Sequence, residues 1–62
     1  MVQRSNVGKF EVFFEPEEED GYHVYCALLK GCHTFGKTKA EARKNIAEAI
    51  ELWLESANDL GL

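Results

Sequence analysis

The sequence predicts an α+β fold: a three-stranded antiparallel meander followed by one C-terminal helix packed on one face of the sheet, in the order β-β-β-α. Three observations carry that prediction. Apolar residues alternate with a period of two from Lys9 to Glu15 and again from Tyr22 to Leu28, and a helix start signal at Thr38 precedes an apolar stripe of helical period. The chain has 62 residues, so there is room for a single domain spanning 1–62 and for one core built from a few packed elements.

Residues 1–8 (MVQRSNVG) show no sustained periodicity and read as a flexible lead-in, with Val2 and Val7 as the residues that would extend the strand after them. In the first strand, residues 9–15, Phe10, Val12 and Phe14 alternate with Glu11, Phe13 and Glu15. Pro16 has no amide proton to give a ladder, and Glu17, Glu18, Glu19, Asp20 and Gly21 form a solvated turn. The second strand, residues 22–28, carries Tyr22, Val24, Cys26 and Leu28 on one face and His23, Tyr25, Ala27 and Leu29 on the other. Lys30-Gly31 supplies a second tight turn, and residues 32–37 (CHTFGK) make a short third strand.

The helix is expected over residues 38–57. Thr38-Lys39-Ala40-Glu41 is a capping box, with the Thr38 hydroxyl accepting from the Glu41 amide and the Glu41 carboxylate reaching back to the Thr38 amide. Ala42, Ile46, Ala49, Ile50, Trp53, Leu54 and Ala57 then form one stripe. From residue 39 to 57 such a helix is about 28 Å long, enough to cross three strands. Asn58 or Gly61 is expected at the left-handed position that ends it.

One helix covers one sheet face. Strand parity assigns Phe10, Val12, Phe14, Tyr22, Val24 and Cys26 to the helix side. Glu11, Phe13, Glu15, His23, Tyr25, Ala27, His33 and Phe35 fall on the other side, where aromatics stand among charges and imidazoles. An exposed aromatic cluster on so small a domain marks an association surface. Phe13, Tyr25, Leu29 and Phe35 are therefore the candidate contact residues, together with the acidic loop Glu17, Glu18, Glu19 and Asp20, and a homodimer or tetramer is expected.

Charge and composition narrow the function. Seven basic residues against eleven acidic ones give a net charge of −4 and a pI near 5.0, a field that repels nucleic acid and suits a basic or polar protein partner. No apolar run approaches the roughly 20 residues a membrane span needs. Two cysteines and no charged-then-apolar leader point to the cytoplasm. The spacings of Cys26, Cys32, His23 and His33 match no zinc pattern, and no metal or cofactor is expected. Cys32 and His33 point to opposite sides of a strand, so a thiol–imidazole nucleophile fails geometrically, and the carboxylates of residues 15–20 sit in a turn rather than converging on a reaction site. No catalytic residue is expected. Lys37, Lys39, Arg43 and Lys44 cluster at the positive end of the helix dipole, and read either as an anion contact or as a solvated face with Lys44 paired to Glu48.

Read together, FEVFFEPEEEDGYHV (10–24), Gly31-Cys32, GKTKAEA (36–42) and NIAEAIELWLE (45–55) resemble the HicB family of antitoxins over about three quarters of the chain. Gly21, Tyr22, Gly31, Cys32, Gly36, Thr38, Glu41, Ala42, Ala49, Ile50 and Leu54 stand at matching places. The resemblance implies a partial ribonuclease-H-like domain without that fold's catalytic carboxylates, one that binds and occludes a small, basic, mRNA-cleaving toxin of the HicA type. In this chain Ala27-Leu28-Leu29-Lys30 replaces the family's Pro-acidic-Leu-Pro. The chain ends at Leu62, before the DNA-binding domain of full-length relatives, so direct DNA binding is not expected of it. A stand-alone oligomeric scaffold or anion binder is the alternative expectation, and a minimal nuclease ranks last.

Overall fold

Val7 and Phe10 face each other across a two-residue turn made by Gly8 and Lys9, with Gly8 at φ +61°. Glycine at the first turn position, followed by a residue of ordinary φ, is the Gly-X hairpin turn, whose twist matches that of the flanking strands. In the computed structural model, which describes residues 2–59, this turn joins β1 (Gln3–Val7) to β2 (Phe10–Pro16). The segment expected as a flexible lead-in is thus a strand, and the sheet has four strands rather than three. Its polar composition hid it: β1 is an edge strand whose helix-side residues Gln3 and Ser5 meet polar partners instead of the core.

The sheet is an antiparallel meander in the order β1-β2-β3-β4, with β3 at Tyr22–Cys26 and β4 at His33–Gly36. Val12 pairs with Cys26, Phe14 with Val24, and Val24 with Thr34. The acidic turn between β2 and β3 is closed by the Glu17 amide donating to the Gly21 carbonyl at 3.0 Å, while the Asp20 carboxylate accepts from the Gly21 amide. Gly21, at φ +90°, packs so closely on the Phe35 ring that a Cβ there would lie 2.5 Å from the ring edge.

Residues 27–32 depart from the strand predicted to run to Leu28. The chain turns back at Cys26, the Cys26 amide donates to the Cys32 carbonyl, and the Cys32 amide donates to the Leu29 carbonyl, each at 3.0 Å. The turn inverts the expected parity of two leucines. Leu29, assigned to the open face, is 8% exposed and sits in the core, while Leu28 is 74% exposed.

The helix α1 spans Lys39–Asp59, longer at its end than expected. Asn58 is helical and so does not take the left-handed stop position, and Gly61 lies outside the described residues. At the other end the Glu41 amide donates to the Thr38 hydroxyl at 3.1 Å, as the capping box requires. The Glu41 carboxylate, however, accepts from the Lys37 amide at 2.8 Å, one residue before the amide expected. Asn45 donates its side-chain amide to the Phe35 carbonyl at 2.8 Å and so ties α1 to the outer edge of β4.

The helix rests on β3 and β4 and buries one stripe against the sheet. Val12, Phe14, Val24, Ala42 and Ile46 are fully buried, joined by Cys26, Leu29, Cys32 and Ile50, with Val7, Phe10, Tyr22, Ala49 and Trp53 packed around them. The helix-side parity is the one the sequence predicts. Each large apolar side chain so buried is worth about 1.5–3 kcal/mol of transfer free energy, which is what holds a sheet this small together. Leu54, counted in the apolar stripe, is exposed instead. Among the described residues no helix is long and apolar enough to cross a membrane.

Candidate interaction surface

Among the described residues no helix covers the second face of the sheet, and the register lays its side chains out in rows. Arg4, Phe13, Tyr25 and His33 form one row across all four strands, and Glu15, His23 and Phe35 form the next. Phe13 and Tyr25 stack with ring centroids 5.3 Å apart and planes 22° off parallel. His23 lies beside Tyr25 at 6.1 Å, and meets His33 diagonally with an Nε2 to Nδ1 distance of 3.4 Å. Phe35 is 46% exposed, while Phe13 and Tyr25 are half-buried by each other and their neighbours.

This face brings together three of the four aromatic and aliphatic residues nominated from the sequence, Phe13, Tyr25 and Phe35; Leu29 is on the other side. The acidic loop adjoins it. Glu17, Glu18, Glu19 and Asp20 are exposed, and the loop ends at Gly21 against the Phe35 ring, so carboxylates border the aromatic patch at that end. Arg4 and Glu11 form an ion pair at 3.5 Å at the opposite border. Both are solvated, so the pair orients the side chains more than it stabilises the fold. Arg4 escaped the sequence reading because its strand did; the Val7-Gly8-Lys9-Phe10 turn was the signal that would have found it.

Two basic residues of α1 reach across to the sheet. Lys39 donates to the Gln3 side-chain carbonyl and lies over the Phe14 ring, 5.4 Å from its centroid, and Arg43 donates to the Ser5 hydroxyl at 3.0 Å. These contacts fasten β1 to the helix. The Lys44–Glu48 pair is not among the ion pairs of the described residues.

On the helix side, an open groove of about 300 Å³ is lined by Gly31, Cys32, His33, Ala49, Leu52, Trp53 and Ser56. Trp53 Nε1 donates to the Lys30 carbonyl at 3.1 Å and braces the turn before β4. Burial pushes the Cys32 thiol above its ordinary range, and Cys26 nearby adds to the effect, which makes Cys32 a packing residue rather than a nucleophile. Cys26 and Cys32 are both free and buried. Among the described residues no three His, Cys, Asp or Glu side chains converge on one metal position.

The arrangement defines a sheet-and-helix α+β domain whose prominent surface is an uncovered aromatic face edged by acid. The chain belongs to the HicB-like antitoxins of bacterial toxin-antitoxin systems, whose family model matches residues 10–62. It is 47% identical over 55 residues to a UPF0150 protein of Synechocystis sp., covering 89% of this chain and 70% of that one. A UPF0150 protein of Helicobacter pylori is 50% identical over 38 residues, covering 61% of this chain and 53% of its own length. A third, from Thermoplasma acidophilum, is 54% identical over 41 residues, with 64% and 59% covered. No solved structure gives a significant match.

Proposed function

We propose that the chain is an antitoxin module that binds a small HicA-type mRNA-cleaving toxin and neutralises it by direct contact, acting in the cytoplasm and performing no catalysis itself. Beyond family membership, the observation that supports this reading is the uncovered face, where Phe13, Tyr25 and Phe35 lie together next to the carboxylates of residues 17–20. Aromatic anchors with a charged rim are what a protein interface needs, and a net charge of −4 complements a basic partner and speeds its encounter. With this face given to the toxin, self-association to a homodimer or tetramer falls to the sheet edge. There β1 presents its outer backbone groups, whereas the outer edge of β4 is partly occupied by Asn45.

The test is co-expression with a small basic protein of the HicA type. The unaltered chain should co-purify with that protein and restore growth, and Phe35→Glu should abolish both while leaving sedimentation unchanged. Rescue by Phe35→Glu equal to that by the unaltered chain would overturn the assignment of this face. A single species near 7.0 kDa by sedimentation would overturn the oligomer.

A further inference from the structure

We propose that His23 and His33 form a two-imidazole binding site for a late first-row divalent ion such as Zn²⁺, Ni²⁺ or Cu²⁺. The two residues are ten positions apart and match no metal-binding spacing along the chain. They meet because β3 and β4 are antiparallel: His23 stands opposite Phe35 and Tyr25 opposite His33, so the imidazoles occupy one diagonal of a four-residue square and the aromatics the other.

The geometry is that of a chelate. His23 Nε2 and His33 Nδ1 are 3.4 Å apart, with the rings inclined at 66° and their centroids 5.3 Å from each other. Two imidazole nitrogens each about 2.0–2.1 Å from one tetrahedral ion stand roughly 3.3–3.4 Å apart. The ion would take lone pairs from those two nitrogens, leaving the protons on His23 Nδ1 and His33 Nε2. Tyr25 lies against His23, 6.1 Å between ring centroids, so the His23 ring is held beside an aromatic neighbour and loses less freedom on binding. Glu15 stands opposite His23 on β2 and adds a negative charge in the same row. With no third side chain in place among the described residues, water completes the coordination on the solvent side. Imidazole donors favour copper over nickel and zinc in the usual order of divalent affinity.

The experiment titrates the full chain with ZnCl₂ and with NiCl₂, followed by calorimetry and by the imidazole resonances in nuclear magnetic resonance. One ion should bind per chain, with the largest shifts at the His23 and His33 rings. His23→Gln and His33→Gln should each weaken binding about a hundredfold, because losing one ligand removes the intramolecular second contact. Both side chains lie on the uncovered face, and far-UV circular dichroism verifies that each variant is folded. The spectra of the unaltered chain decide the matter even where a variant fails to fold. No binding, shifts centred on Cys26 and Cys32, or glutamine variants that bind like the unaltered chain would each overturn the site and leave the contact as a hydrogen bond between the two rings.

Discussion

Gly36 lies directly against the backbone of Ala42: a Cβ placed on Gly36 would stand 2.2 Å from the Ala42 nitrogen and 2.5 Å from its Cα. The last residue of β4 and the first turn of α1 therefore touch main chain to main chain. Gly36→Ala forces the helix off the sheet, since no flexible side chain is there to yield. We expect a loss at or above the top of the about 1–3 kcal/mol range of overpacking, read from urea unfolding followed by Trp53 fluorescence. Gly8→Ala meets no atom within 4 Å, and its cost is only the left-handed φ of +61°, about 1–2 kcal/mol. Equal losses for the two variants would refute the close approach at Gly36.

Thr38→Ala removes the acceptor for the Glu41 amide and should cost about 0.5–2 kcal/mol. Glu41→Ala removes the acceptor for the Lys37 amide in the same turn. Because the two contacts close the same turn, the double variant should lose less than the two single losses added together. Strict additivity in thermal or urea unfolding would show that the two halves of the cap act independently.

Trp53→Phe replaces the indole with a smaller phenyl ring and so removes the Nε1 donor to the Lys30 carbonyl. Stability should fall by about 0.5–1.5 kcal/mol. The effect should be local, with faster hydrogen exchange at the amides of Cys26 and Cys32, which close the same turn. Unchanged exchange at both positions would separate the tryptophan from the turn.

Cys32 gives a pH dependence of fixed sign. Its thiol is raised by burial first and by Cys26 second, so the folded state holds that proton more tightly than the unfolded chain does. The contribution is fully present below the thiol's unfolded value, about pH 8.5, and is lost as pH rises from there through the folded value. Unfolding free energy should decline across that alkaline window, and Cys32→Ala should flatten the decline. Iodoacetamide should label Cys32 more slowly in the native chain than in urea at the same pH.

The sheet's helix-side parity was readable because Val12, Phe14, Val24 and Cys26 alternate with residues that cannot share a core, and the helix because Thr38 and Ala42 to Trp53 repeat at its period. β1 was not, because QRSNV has no apolar alternation: its place is secured by the Gly8 turn, the ladder to β2 and side chains of α1 that are 36 and 38 residues away. Leu28 is exposed and Leu29 buried, the reverse of the expected parity, because strand parity applies only while the chain stays extended, and it leaves the strand at Cys26. The candidate surface was found through the same parity for Phe13, Tyr25 and Phe35, whereas the His23–His33 contact depends on register between strands, which spacing along one chain does not encode.

The bond from Asn45 to the Phe35 carbonyl gives the molecule a polarity in how copies can add to one another. A continuous β-fibril grows by joining one rim of each unit to the opposite rim of the next, and so requires two receptive rims. Here the helix holds an outward acceptor on the β4 side, while the β1 side remains receptive. Joining β1 to β1 about a twofold axis uses up the receptive rim of both molecules and terminates after two. Asn45→Ala would return the Phe35 carbonyl to the β4 rim as a free acceptor, and with it a point at which a further strand could pair.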